Sequence, residues 1–300
     1  MKVIHLPSKF VQTVFSVHGK AGERWLNELN GLIDYCKQKW QFELLPVKKL
    51  TFNFVAPVVF ENGSKAILKL GLPGKEFQSE IAALKAYNGS GFCKLLDAEP
   101  EKGVMLLEYI EPGAYLNTVQ DEIAKATVTA NLIKSMTGLN PSPSNPFQTA
   151  GDLYNDLLSL HNRFGNTAIP EYLFKSAVSA YKTIESNPYQ QRLLHGDLHQ
   201  ENILSAQDGE WKAIDPKGII SETGFELIPF LINDLESKDI TATISGRIEV
   251  FSNLLKIDRE RIIQWGIFRS VLSAYWQMED DLPINDKDLM MCEVFYGLNR

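Results

Sequence analysis

The chain is short of cysteine, of clustered positive charge and of long apolar runs, and each shortage removes a class of protein. Cys36, Cys93 and Cys292 are the 3 cysteines. Scattered, odd in number and without metal-ligand spacing, they read as free thiols in a reducing compartment rather than as a disulfide framework. The 30 Lys and Arg against 37 Asp and Glu leave a formal net charge of -7. That balance argues against general nucleic-acid binding, since phosphate backbones are held by clustered cations, and is compatible with a cationic small substrate. No apolar run approaches a membrane span. Met1 to Lys20 lacks the apolar core and small-residue cleavage site of a secretory signal, so the expectation is a cytoplasmic protein with no membrane partner. Internal repeats and low-complexity tracts are also missing. What is present is 300 residues, 44% hydrophobic, enough for one large domain or two lobes.

The most informative stretch is Leu194-His195-Gly196-Asp197-Leu198-His199-Gln200-Glu201-Asn202-Ile203-Leu204, followed by Trp211-Lys212-Ala213-Ile214-Asp215-Pro216. Two short apolar arms flank Asp208-Gly209, a dipeptide that favours a tight hairpin. A hairpin centred there makes Asn202 and Asp215 cross-strand neighbours, with Cα atoms about 5 Å apart. An amide oxygen and a carboxylate then converge, an incomplete oxygen set suited to Mg²⁺, which keeps waters and takes phosphate oxygens. Asp197, just after a glycine that permits a sharp bend, is placed to accept a proton from a substrate hydroxyl. His195 reads as a ring that ties this loop together, His199 as a residue that touches substrate or phosphate, and His161 as helix packing.

Upstream, Trp25, Leu26, Leu29, Leu32, Ile33 and Cys36 form the stripe of an amphipathic helix over residues 21–38, expected to pack on the sheet that follows. Asn62-Gly63 predicts a hairpin between Pro57-Val58-Val59-Phe60 and Lys65-Ala66-Ile67-Leu68-Lys69. Centred on those two residues, it sets Lys69 opposite Ala56, a sensible place for a phosphate-binding lysine. A helix over 74–87 carries Glu80 as counter-charge for Lys69, which a buried lysine needs; Glu76 competes for that role. Strands are predicted at 93–96 and 103–110 around a turn at Glu99-Pro100-Glu101. Pro112-Gly113 marks the hinge, giving lobes 1–111 and 112–300. Helices follow at 118–136, 152–164 and 170–186, with a proline-rich loop at 140–146, and a helical block over 259–278 closes the fold.

Further stretches complete an ordered series: Gly22-Glu23-Arg24-Trp25-Leu26, Ala66-Ile67-Leu68-Lys69-Leu70-Gly71, Ala150-Gly151-Asp152-Leu153 running to Leu160-His161, and Ala213-Ile214-Asp215-Pro216-Lys217-Gly218. Phe225-Glu226 running to Ile232-Asn233, and Ser270-Val271-Leu272-Ser273-Ala274-Tyr275-Trp276 leading to Glu279, extend it. In these the chain resembles the aminoglycoside phosphotransferase family, most closely its streptomycin and hydroxyurea phosphotransferase branch. The resemblance implies an α+β, two-lobed protein-kinase-like fold: an N-terminal antiparallel sheet with helices, a larger mainly helical C-terminal lobe, and ATP between them, with GTP as an alternative donor. It implies Asp197 as catalytic base, Asn202 and Asp215 as magnesium ligands, Lys69 as the nucleotide-phosphate lysine and Glu80 as its partner. Glu108, Tyr109 and Ile110 become the segment whose backbone meets adenine. His199, Lys217, Trp276, Glu279 and Asp280 are candidates for the acceptor, a small polar molecule, the two carboxylates being suited to a guanidinium or ammonium group.

One departure from the kinase pattern is that residues 51–57 contain no glycine and include Pro57, which has no amide hydrogen to offer a phosphate. It motivates a second reading, a catalytically weak nucleotide-binding regulator. A third takes His195, Asp197 and His199, alternating along an extended segment, as metal ligands of a hydrolase; it leaves Lys69, Asn202 and Asp215 unexplained.

Overall fold

A computed structural model describes residues 6–47, 50–136, 146–165, 169–235, 239–279, 284 and 286–300. The chain forms two compact units, one of residues 1–89 and 93–110, the other of residues 90–92 and 111–300.

The first unit is built on strands β1 (Phe42–Leu44), β2 (Phe54–Phe60), β3 (Lys65–Leu70), β4 (Leu95–Glu99) and β5 (Val104–Glu108). They form one antiparallel sheet in the order β1-β2-β3-β5-β4. Phe54, Ala56 and Val58 alternate into the core, as do Ala66, Leu68 and Leu70, the period of two expected of a half-buried sheet. Helix α1 (Ser8–Trp40) covers this face with Trp25, Leu29, Ile33 and Cys36. It begins well before the expected residue 21 because it is two helical runs joined at Gly19, whose φ of 52° breaks the helix. The runs pack closely: a side chain at Gly22 would stand 2.6 Å from the Val14 carbonyl oxygen, and Phe10 meets Trp25 edge-on at 6.2 Å. Helix α2 (Lys75–Tyr87) follows β3.

The β2–β3 register differs from expectation by one residue. Lys69 pairs with Val55, not Ala56. The loop has three residues, Glu61-Asn62-Gly63, closed by Phe60 N–H to the Ser64 carbonyl at 2.9 Å. Gly63 sits at φ 82°, the left-handed position such loops require, and the Asn62 side chain accepts the Ser64 amide at 2.9 Å. Residues 54–57 belong to strand β2. The Pro57 carbonyl accepts from Leu45 N–H at 2.9 Å, so its missing amide faces the side where β1 has already ended, and no ladder bond is lost.

The second unit begins with α3 (Glu122–Ser135), β6 (Gln148–Thr149), α4 (Ala150–Phe164) and α5 (Glu171–Ser186). Then come β7 (Arg192–Leu194), β8 (Ile203–Ser205), β9 (Trp211–Ala213), β10 (Ile219–Ser221), α6 (Thr223–Glu226) and α7 (Ile228–Ile232). Helices α8 (Ile240–Leu255), α9 (Arg259–Glu279) and α10 (Asp286–Leu298) complete it. Two of these, α8 and α10, were not expected, so the block at 259–278 does not close the fold. Almost all of the expected loop at 140–146 lies outside the described residues. Helix α9 is buried around most of its girth and packs on α4, α5, α8 and α10, as a central helix must. Two small sheets carry the loops: β6-β10-β7, and the hairpin β8-β9. Buried Glu222 accepts from Arg261 Nε at 2.6 Å and Trp265 Nε1 at 2.5 Å, fixing the corner from β10 into α6.

Candidate functional site

Asp197 follows β7 in a loop whose backbone is fixed on every side. Gly196 has φ 83°, and a side chain there would meet Ile219 at 2.5 Å, so only glycine makes this bend. Its N–H donates to Glu226 Oε2 at 3.0 Å, and its carbonyl accepts from Arg269 Nη2 at 3.3 Å. The Asp197 carbonyl accepts from Asn202 Nδ2 at 2.9 Å and from His199 N–H at 3.1 Å. The carboxylate itself remains partly exposed and stands 4.0 Å from His199 Nε2.

Fully buried His195 donates from Nε2 to the Ile214 carbonyl at 2.7 Å and accepts the Asp197 amide on Nδ1 at 3.1 Å. Burial holds its pKa down at about 4, so the ring is neutral. With one nitrogen donating and the other accepting, neither offers a lone pair to a metal, which removes the hydrolase reading. Glu226 is pushed the other way, up to about 8, by burial, although the Gly196 and His195 amides pull it down. Its Oε1 has no hydrogen-bond partner and is the natural seat of the extra proton.

The β8–β9 hairpin also differs from expectation by one residue. Ile203 pairs with Ala213, and Ile214 N–H donates to the Asn202 carbonyl at 2.9 Å. Asn202 therefore faces Ile214, not Asp215. The loop again has three residues, Gln207-Asp208-Gly209, with Asp208 at φ 57° and Gly209 at φ 77°, closed by Ala206 N–H to the Glu210 carbonyl at 2.8 Å. Asp215 comes next along the chain, at φ 58°, a left-handed turn that re-aims its side chain relative to a strand. Its charge raises the pKa of Tyr115, behind the larger effect of burial. Because the Asn202 Nδ2 is held by the Asp197 carbonyl, the amide is oriented with its oxygen as the remaining donor atom. One carboxylate and one amide oxygen fit Mg²⁺, which tolerates partial protein ligation. Among the described residues no group of three or more His, Cys, Asp or Glu could cage a metal.

In the first unit, Lys69 Nζ lies 2.6 Å from Glu80 Oε1, with both side chains buried; Glu76 is exposed. Glu108 ends β5, and its Oε2 accepts the Lys94 amide at 2.9 Å. Lys65 Nζ sits 5.1 Å over the Tyr109 ring, and Ile110 is buried.

A cavity of about 280 Å³ adjoins Asp197 and is lined also by Pro229, Ile232, Asn233, Arg269 and Ser273 of the helical region, and by Lys287, Asp288 and Met291 of α10. Of the described acceptor candidates, His199, Lys217, Trp276 and Glu279, none lines it. Lys217 is exposed and donates its backbone N–H to the His195 carbonyl at 2.7 Å. Trp276 stacks 4.7 Å from the Arg269 guanidinium. Glu279 is exposed, 3.9 Å from Arg163 Nη1, and Asp280 lies outside the described residues. Arg269 was missed by sequence reasoning; its one signal was a cation between the apolar runs Ile267-Phe268 and Val271-Leu272.

Structures with this fold include choline kinase LicA from Streptococcus pneumoniae (TM-score 0.67, 15% identity, covering 89% of this chain and 98% of that one). An aminoglycoside phosphotransferase in a ternary complex with ADP and hygromycin B matches at TM-score 0.64 and 11% identity, over 89% and 97% of the two chains. These establish a protein-kinase-like fold. In sequence, the chain is 29% identical to a hydroxyurea phosphotransferase from Kitasatospora aureofaciens, over 98% of this chain and 87% of that protein. It is 28% identical to a streptomycin 6-kinase from Streptomyces glaucescens, over 93% and 92%. The sequence profile described as aminoglycoside/hydroxyurea antibiotic resistance kinase matches residues 47–281. The chain therefore belongs to the aminoglycoside/hydroxyurea antibiotic resistance kinase family and is a phosphotransferase with an alcohol group as acceptor.

Proposed function

We propose that the chain transfers the γ-phosphoryl group of ATP to a hydroxyl of a small polar acceptor, with Asp197 as base, residues 1–111 holding the nucleotide and residues 112–300 carrying catalysis and acceptor binding. The observation that carries this reading is the position of the Asp197 carboxylate. It lines the cavity while its own backbone is held by His195 and Asn202, and that of the preceding Gly196 by Glu226 and Arg269. A base fixed in this way loses little freedom on reaching the transition state, and phosphoryl transfer depends chiefly on such positioning and on charge stabilisation.

Asn202 and Asp215 would hold Mg²⁺, which when bound supplies positive charge to the phosphate oxygens. Lys69, kept in place by Glu80, would meet nucleotide phosphates, and the backbone of Glu108, Tyr109 and Ile110 the adenine. The relatives named for streptomycin and hydroxyurea support acceptors of those kinds. No helix among the described residues is long and apolar enough to cross a membrane, in keeping with a cytoplasmic small-molecule kinase. The test is incubation with γ-labelled ATP or GTP, Mg²⁺ and a panel of aminoglycosides, hydroxyurea, sugars and amino alcohols. Label transferred to an acceptor is expected; label released only as free phosphate with every acceptor would overturn the reading.

A further inference from the structure

Among the described residues the ionisable lining of the cavity beside Asp197 is balanced, Asp197 and Asp288 against Arg269 and Lys287, although the chain as a whole carries -7. A site for a molecule with several positive charges needs an excess of carboxylates, and here two cations would face it. The cavity, at about 280 Å³, is at the small end of the roughly 300–1,000 Å³ that takes drug-sized ligands.

Arg269 is placed for recognition as well as for holding Gly196. Its guanidinium lies 5.0 Å from the Phe225 ring and 4.7 Å from the Trp276 ring, which fixes the plane of the fork. One nitrogen, Nη2, reaches the Gly196 carbonyl. Glu226, raised to about 8 by burial, is mostly neutral at pH 7 and does not cancel the arginine charge. A fixed guanidinium fork matches planar oxygen groups, carbonyl or carboxylate, in a way an ammonium cannot. Asn233 and Ser273 add neutral polar groups to the same wall.

Resting on the phosphotransferase reading above, we propose that the acceptor is a compact, uncharged or anionic molecule whose hydroxyl neighbours a carbonyl or carboxylate oxygen, held by Arg269 and Lys287, and not a polycation. In the transfer the acceptor hydroxyl gives its proton to the Asp197 carboxylate and its oxygen bonds to the γ-phosphorus. The bond from that phosphorus to the bridging oxygen breaks, its electron pair leaving on ADP. Arg269 and Lys287 set which hydroxyl reaches the base.

The experiment measures kcat and KM with Mg-ATP for hydroxyurea, lactate and streptomycin, on the wild type, Arg269→Lys and Lys287→Glu. Wild type is expected to favour one of the compact acceptors over streptomycin by at least about tenfold in kcat/KM, equivalent to about 1.4 kcal/mol. Hydroxyurea against lactate separates a carbonyl from a carboxylate. Arg269→Lys keeps the charge but loses the fork; it should raise KM for the compact acceptor about tenfold with kcat changed less than about threefold. Lys287→Glu should move the preference toward streptomycin. Preference of the wild type for streptomycin, or an unchanged acceptor ratio in both variants, would overturn the proposal while leaving the kinase intact. A fall in kcat alone in Arg269→Lys would assign Arg269 to loop positioning and overturn its recognition role. Absence of transfer to any acceptor would overturn the kinase reading itself.

Discussion

His195 Nε2 donates to the carbonyl of Ile214 at 2.7 Å, so a single buried ring joins the loop of Asp197 to the strand end that presents Asp215. Its other nitrogen takes the Asp197 amide. His195→Phe would keep the stacking on Phe92, now at 5.8 Å, but leave a buried carbonyl and an amide unpaired. A loss of about 2–4 kcal/mol is expected in urea unfolding, together with a lower kcat. A midpoint unchanged from wild type would show that the ring bonds do not hold the loop.

Asp197→Ala removes the proposed base without touching the backbone bonds that shape the loop. Transfer should fall by roughly 10²–10⁴ while calorimetry still detects Mg-ATP. Near-normal turnover in this variant would remove Asp197 from the mechanism.

Lys69 and Glu80 form a buried pair at 2.6 Å. Breaking it with Lys69→Met strands the carboxylate and should cost about 3–5 kcal/mol. Adding Glu80→Gln removes that stranded charge, so the double variant should recover most of the stability. It should not recover nucleotide affinity, which calorimetry would read; recovery of both would make the pair purely structural.

Glu226 and His195 give stability a defined pH course. The folded pKa of Glu226, about 8, exceeds its ordinary value near 4.5. Between those values the native state binds more protons than the unfolded one, so stability falls as pH rises. His195, at about 4 against 6.5, acts oppositely: the unfolded state binds more protons in that window, and stability rises with pH. The two offset one another between about pH 4.5 and 6.5; from about pH 6.5 to 8 only Glu226 of this pair contributes, as a decline. Glu226→Gln should flatten that decline in thermal unfolding. An equally steep fall in the variant would place the titration elsewhere.

Asp215 holds a left-handed conformation, at φ 58°, that Asn also accepts. Asp215→Asn should therefore fold with wild-type stability yet need much more Mg²⁺ for half-maximal rate. An unaltered Mg²⁺ requirement would take Asp215 out of the metal site.

Much of this was legible in the sequence because local signals agreed with one another. The dipeptides Asn62-Gly63 and Asp208-Gly209 marked both hairpins, and the apolar stripe from Trp25 to Cys36 marked the helix on the sheet. Each hairpin was nonetheless misread by one residue, since a two-residue turn and a three-residue loop share the same glycine. Helix α8 was illegible for a different reason. Its Ile, Thr and Val residues and Gly246 are poor helix formers, and the helix is held instead by burial of Ile244, Ile248 and Phe251. Arg247 adds bonds to the carbonyls of Phe230, Asn233 and Asp234. Arg269 and α10 enter the cavity only through tertiary packing, which no local pattern encodes.

The pairs that close the two hairpin tips carry a consequence for how this chain tolerates change. Each closing pair works as a gauge that sets which residue of the returning strand arrives beside the chemistry. Trimming either tip by one residue would keep the closing pairs Phe60–Ser64 and Ala206–Glu210 and with them the register; a one-residue insertion or deletion in the returning strand, between the tip and Lys69 or between the tip and Asp215, would instead deliver a neighbour in its place.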